Sequence, residues 1–306
     1  MRIKIFTLLF FFVFFTNCTS GGENPAPKKV SSSFTYKGEI TPGTWLRNLS
    51  VPYTYEGKEY NEVIQIYFPK NYSKGKNSRV LFALHGWNAN HLEWGANSNI
   101  TALAEKYNMV IVCPNMKRSL YETAYYNETT IKWSGMPGGK YFGEVLIPYL
   151  QKTFALAYDR EKTGIMGLST GGRGAILMAE TYPHYFSATA GFSGDYSPEE
   201  MTHDRLLRSI YGEYRTFPDR WKNNDNPLHM AENLKDIPVF LSHGGKDKVV
   251  SPTQTQIMII KLNMLHRNGT IKHRPAVQNF PNHSHDWLYW RAVLPHAMSF
   301  FDEHLK

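Results

Sequence analysis

The sequence predicts an α/β fold in which a mostly parallel sheet is covered by helices on both faces. Two observations carry this expectation: apolar, β-rich runs alternate with segments of helical periodicity, and no internal repeat interrupts them. Composition supports it. With 306 residues, 42% hydrophobic and 14% aromatic, the chain can build one large domain or two small ones, which excludes a disordered or low-complexity protein. Two cysteines exclude a disulfide scaffold and a Cys-rich metal site. The net charge of +8 is spread without a basic block interleaved with aromatics. It reads as a mildly basic solvated surface and not as a nucleic-acid interface, although adsorption to acidic polysaccharide or an anionic membrane stays open.

The N-terminus precedes the alternation. Arg2 and Lys4 form a positive start, and residues 5–15 are an almost unbroken apolar run. That run is too short to cross a ~30 Å hydrocarbon core, which takes about 20 residues, and it fits a signal peptide over residues 1–17. Phe15-Thr16-Asn17-Cys18 resembles a bacterial lipoprotein signal, which implies lipidation of Cys18 and a membrane partner through that anchor. Such a protein is exported to the cell envelope; the alternative is ordinary cleavage and secretion. The rest of 18–40, with Gly21, Gly22, Pro25 and Pro27, reads as a flexible tether ahead of a domain over 41–306.

Within that domain, residues 63–68, 80–84 and 109–113 are β-rich apolar runs, and 100–107 is helix-like. Cys113 falls in the third run and reads as a small buried hydrophobe. Residues 144–154 place Val145, Leu146, Tyr149, Leu150 and Phe154 at helical spacing. Then follow a strand over 163–168, a helix over 175–182, strands over 186–192 and 238–242, a helix over 253–266, a strand over 271–280 and a helix over 287–305. Residues 196–235 break the pattern with scattered polar residues, Trp221 and Asn226-Pro227, and are expected to form an insertion overhanging a site.

Gly167, Ser169 and Gly171 make a G-x-S-x-G pentad between the strand over 163–168 and a run of small residues opening a helix. A sharp strand-to-helix turn holds such a serine at strained dihedrals with its hydroxyl exposed, at a helix N-terminus that favours developing negative charge. The competing readings, a glycine-rich turn or a phosphate loop, lack the Lys-Ser/Thr or G-x-G-x-x-G signatures.

A serine hydroxyl needs a base, and the base needs an orienting acid. In this architecture the acid and then the histidine follow the serine in chain order, each after a strand. Asp247, in the loop after 238–242, is the expected acid, with Asp195 as the alternative one strand earlier. His285 competes with His283 as the base after 271–280. A metal site built on the His283/His285 pair and Asp247 lacks a further nearby ligand. Two N–H donors should face the developing oxyanion: that of Thr170 and that of Trp87, in the loop after the strand over 80–84. His85 is expected to brace that loop.

Together, Leu84-His85-Gly86-Trp87, Gly167-Leu168-Ser169-Thr170-Gly171-Gly172, Gly244-Gly245-Lys246-Asp247 and His285-Asp286-Trp287 with Trp290 resemble the esterase D and feruloyl-esterase-like family of the α/β-hydrolase superfamily, over about residues 60–305. The helix 144–150 is similar too. The resemblance favours His285 as base and implies a serine carboxylic-ester hydrolase working through an acyl-enzyme, with no metal and no organic cofactor. The implied substrates are feruloyl or acetyl esters of polysaccharides, or related small esters. Trp87, Trp133 and Trp221 are candidates to stack on sugar or phenolic groups. A serine peptidase, an acyltransferase and a non-catalytic carbohydrate-binding lipoprotein are the alternatives.

Overall fold

The computed structural model describes residues 36–73, 78–223 and 225–306. The expected signal peptide, Cys18 and most of the expected tether lie outside the described residues.

Eight strands form one sheet: β1 (Thr44–Tyr55), β2 (Lys58–Phe68), β3 (Arg79–Leu84), β4 (Met109–Pro114), β5 (Thr163–Leu168), β6 (Ala188–Phe192), β7 (Val239–Gly244) and β8 (Ala276–Phe280). Their order is β1-β2-β4-β3-β5-β6-β7-β8. Strands β4 through β8 run parallel with β3 in their midst, while β2 pairs antiparallel with both β1 and β4. The fold is that of an α/β-hydrolase.

Alternation along β3 shows how the strands serve two cores at once. Val80, Phe82 and Leu84 join a core with helices Ile147–Phe154, Thr170–Thr181 and Thr253–Arg267. Leu81 and Ala83 face the other side, against helices Ile100–Tyr107 and Trp287–His304. Burying both faces is why the parallel strands read as continuous apolar runs and not as alternating ones. Cys113 is buried in β4. Among the described residues, no helix is long and apolar enough to cross a membrane.

Several elements differ from the sequence expectation. Strand β1 carries no clean pattern, since Asn48 sits at a positive φ of 52° inside a bulge and Pro52 lies on this edge strand. It is joined to β2 by Glu56-Gly57, both at positive φ (50° and 76°), the geometry of a tight hairpin turn. The last strand begins at Ala276, not at residue 271, because Ile271 is still bonded to the end of the preceding helix through Leu265 O. The expected tether ends sooner than residue 40: Tyr36 packs on Phe154 with ring centroids 5.4 Å apart, and Ile40 joins the core.

The segment between β6 and β7 consists of short helices, among them Arg205–Tyr211 and Pro218–Lys222. Its ends belong to the main core through Tyr196, Ala231 and Leu234. Its middle has a small core of its own, in which Leu207, Ile210, Tyr211 and Trp221 pack with Leu120.

Candidate active site

The turn after β5 explains why this sequence presents a serine. Ser169 has φ 55° and ψ −126°, and the helix begins at the next residue. The backbones around it touch. A Cβ on Gly167 would stand 2.1 Å from Gly171 O, and one on Gly171 would stand 2.4 Å from His85 O. Only glycine fits at either place. The serine is locked by its own backbone: its N–H donates to Phe192 O at 2.8 Å, and its carbonyl accepts from Gly172 and Arg173 N–H at 2.8 and 3.1 Å.

Three strand ends then converge. His285, after β8, has Nε2 2.9 Å from Ser169 Oγ and Nδ1 2.6 Å from Asp247 Oδ2. A carboxylate only accepts, so Nδ1 carries the proton and Nε2 is left to accept from the serine hydroxyl. The Trp290 ring stands edge-on to the imidazole, with centroids 5.2 Å apart and an interplanar angle of 81°. This fixes the ring from the side.

Asp247 is held from every direction. Its Oδ1 accepts from Val249 and Val250 N–H at 2.8 and 2.9 Å. Its Oδ2 receives a second imidazole, His243 Nε2, at 3.1 Å. Burial alone would raise its pKa, but the hydrogen bonds from His243, His285 and Val250 outweigh burial and hold the carboxyl well below the usual carboxylate range. His243 also lies 3.0 Å from Val250 O and 2.7 Å from Thr255 Oγ1. His243 belongs to no motif of the sequence; its place near the end of β7, four residues before the acid, is the one signal it carries there.

The alternatives fall elsewhere. Asp195 pairs with Arg173 at 3.3 Å. The backbone of His283 bonds to Phe280 and Lys246, and its side chain makes no hydrogen bond to Ser169 or Asp247. His85 braces its loop as expected: Nδ1 bonds Gly86 O at 2.7 Å and Nε2 accepts Met116 N–H at 2.8 Å. Burial lowers its pKa to about 4. Among the described residues, no group of His, Cys, Asp and Glu side chains is arranged to hold a metal ion.

Ser169 opens into a cavity of about 420 Å³. Trp87 and Thr170 line it beside the serine, and neither backbone N–H has a partner among the described residues. Trp287 and Trp290, whose rings pack edge to face, line it, as do the apolar Leu120, Met201, Leu206 and Leu207. Glu93, Asp195 and Asp204 are its acidic side chains, and no Lys or Arg lines it among the described residues. Trp133 and Trp221 are core residues, only 6% and 0% exposed, so of the tryptophans suggested for stacking only Trp87 reaches the cavity. Met201, Leu206 and Leu207 come from the 196–235 segment, and Leu120 carries no motif.

A family model described as "Putative esterase" matches residues 59–301. The chain is 22% identical over 241 residues to an acetyl esterase of Caldicellulosiruptor saccharolyticus, covering 74% of this chain and 85% of that one. It is 24% identical over 212 residues to an endo-1,4-beta-xylanase/feruloyl esterase of Xylanibacter ruminicola, covering 65% of this chain and 28% of that much longer one. Among solved structures, an S-formylglutathione hydrolase from Staphylococcus aureus superposes with a TM-score of 0.66 at 18% identity, covering 85% of this chain and 99% of the other.

Proposed function

This chain belongs to the esterase family that matches residues 59–301 and is a carboxylic-ester hydrolase; we propose that it works through an acyl-enzyme on Ser169 and acts on acyl esters of polysaccharides. The observation that carries the reading is the continuous hydrogen-bonded chain Asp247–His285–Ser169 ending at the mouth of an aromatic cavity. Ser169 Oγ attacks the ester carbonyl as its proton passes to His285 Nε2. The carbonyl oxygen becomes an oxyanion, received by the N–H groups of Trp87 and Thr170. Asp247 holds the imidazole in the productive tautomer and stabilises the imidazolium. Collapse of the intermediate breaks the bond to the alcohol, which leaves with the proton from His285. Water then attacks the acyl-serine, giving its proton to the same imidazole, and Ser169 is regenerated as the carboxylic acid departs.

The cavity supports an alcohol or acyl group with flat faces and hydroxyls. Trp87 and Trp287 offer stacking surfaces, and Glu93, Asp195 and Asp204 are acceptors for hydroxyl groups. The acidic lining of Glu93, Asp195 and Asp204 disfavours anionic esters such as acylated glutathione. The acetyl esterase and the xylanase/feruloyl esterase among its relatives point to acetyl and feruloyl groups on polysaccharide. An anchor on Cys18 would hold the enzyme at the cell envelope, where such polymers are met; metabolic labelling with a radioactive fatty acid should mark the full chain and not Cys18→Ala.

The deciding experiment compares wild type with Ser169→Ala on p-nitrophenyl acetate, methyl ferulate and acetylated xylan. The variant should lose roughly 10⁴-fold or more in kcat on every ester that wild type cleaves. Turnover surviving in Ser169→Ala would remove the serine from the mechanism. Wild-type activity confined to small esters would remove the polysaccharide assignment.

A further inference from the structure

Arg173 stands one helical turn beyond Ser169 and is fully buried. No step of the reaction uses it. A guanidinium in such a place is costly unless every donor is occupied. Its Nε donates to Leu120 O at 3.4 Å, and its Nη1 to the carbonyl and the carboxylate of Asp195 at 3.2 and 3.3 Å. Its Nη2 donates to the Tyr211 hydroxyl at 3.0 Å and to Asp225 O.

These acceptors belong to segments that build the wall of the cavity. Leu120 and Asp195 line it directly, and Tyr211 ends the helix whose Leu206 and Leu207 line it as well. The backbones that receive the guanidinium are also strained. Tyr121, next to Leu120, has φ 60°; Ser193, two residues before Asp195, has φ 50°; Asp225 itself has φ 54°. Non-glycine residues persist there only when their surroundings over-determine them. One side chain rooted in the nucleophile's own helix is bonded to all of these segments.

We propose that Arg173 is a positioning residue that sets which esters the cavity accepts, by fixing Leu120, Asp195 and the helix Arg205–Tyr211 at a set distance from Ser169. This rests on the ester-hydrolase reading above. Bulky substrates that touch this surface depend on the tie, and small ones that are held only at Ser169 and the oxyanion donors do not. Lysine keeps the charge but cannot fork toward several acceptors at once.

The test measures kcat and KM of wild type, Arg173→Lys and Tyr211→Phe on ethyl acetate and ethyl ferulate, which share one alcohol and differ in acyl size. Active sites are counted by stoichiometric labelling with a fluorophosphonate. Arg173→Lys should lose roughly 10-fold in kcat/KM on ethyl ferulate, mostly through KM, and Tyr211→Phe about 3-fold, with ethyl acetate changing less than about 2-fold. Equal losses on both esters, or none on either, would overturn the proposal while leaving the ester-hydrolase reading intact. A wild type inactive on both esters would overturn the two together. Should Arg173→Lys fail to fold, Tyr211→Phe decides alone, since it removes one hydroxyl and keeps the buried ring.

Discussion

The turn at Ser169 and the segments that Arg173 ties to its helix solve the same backbone problem in different ways. At the turn, a serine with φ 55° is made tolerable by glycines two residues to either side, which let β5, its helix and the His85 loop touch. Behind the helix that Ser169 opens, Tyr121 and Asp225 hold φ of 60° and 54° with no glycine within two residues of either in the chain. There the strain is balanced by side-chain bonds from afar: Arg173 to Leu120 O and Asp225 O, and Thr123 N–H and hydroxyl to the Asp225 carboxylate. A turn built from local sterics should respond to mutation as a unit and affect every substrate alike. A surface built from long-range polar contacts should respond piecewise and affect some substrates more than others.

The largest effect should come from the turn's partners. In Asp247→Asn the amide oxygen can keep the bonds from Val249 and Val250, which leaves its NH₂ facing His285 Nδ1. That forces the imidazole proton onto Nε2, where it can no longer accept from Ser169. A loss of roughly 10³–10⁴-fold in kcat is expected, with KM nearly unchanged and the same factor on small and bulky esters. A factor that depended on substrate size would blur the distinction between the two regions.

Gly171→Ala should come next. The new Cβ would meet two backbone carbonyl oxygens, His85 O at 2.4 Å and Leu84 O at 2.7 Å, neither of which can rotate away. The strand-end loop bearing Trp87 and the nucleophile helix must then separate. We expect a loss of stability of about 1–3 kcal/mol by denaturant titration, accompanied by a uniform fall in kcat. A variant as stable and active as wild type would show that these glycines are not what makes the serine's strain tolerable.

The same contrast explains what the amino-acid sequence disclosed. The alternation of apolar runs and helical segments located β3 to β7 because each is buried on both faces, and Gly167, Ser169 and Gly171 marked the turn because steric need within five residues leaves a pattern. Asp247 and His285 were legible as residues following strands. Strand β1 was not, since its inward alternation is limited to Leu49, Val51 and Tyr53, after a bulge and across Pro52, on an edge strand. Leu120, Leu207 and the Arg173 bonds were not either, because their meaning lies in partners about fifty residues away, and single-sequence periodicity carries no trace of such pairs.

The smallest expected effect tests whether the polar surface carries its own electrostatic cost. Glu122 is fully buried behind Leu120, and its Oε2 accepts from Ser119 Oγ at 3.0 Å and Leu120 N–H at 2.8 Å. Burial is the main cause that raises its pKa from 4.5 to about 7, with the Asp225 carboxylate adding to it and the hydrogen bonds opposing. A raised carboxyl pKa means that, between the unfolded and folded values, the native state binds a proton that the unfolded chain has released. Stability therefore falls as pH rises through that window, from about 4.5 to about 7, and the penalty is complete above it. Glu122→Gln cannot titrate, and its amide oxygen can still accept from Ser119 and Leu120, forgoing only the longer 3.4 Å bond from Gly138 N–H. The variant should flatten the fall in stability between pH 5 and pH 8 by on the order of 2 kcal/mol, measured by denaturant titration at several pH values. The flattening should be partial, because burial also raises Asp195 and Asp225. Identical slopes in wild type and variant would mean that Glu122 does not sense the pH. The cost of the polar surface would then rest on the Arg173 pairs alone.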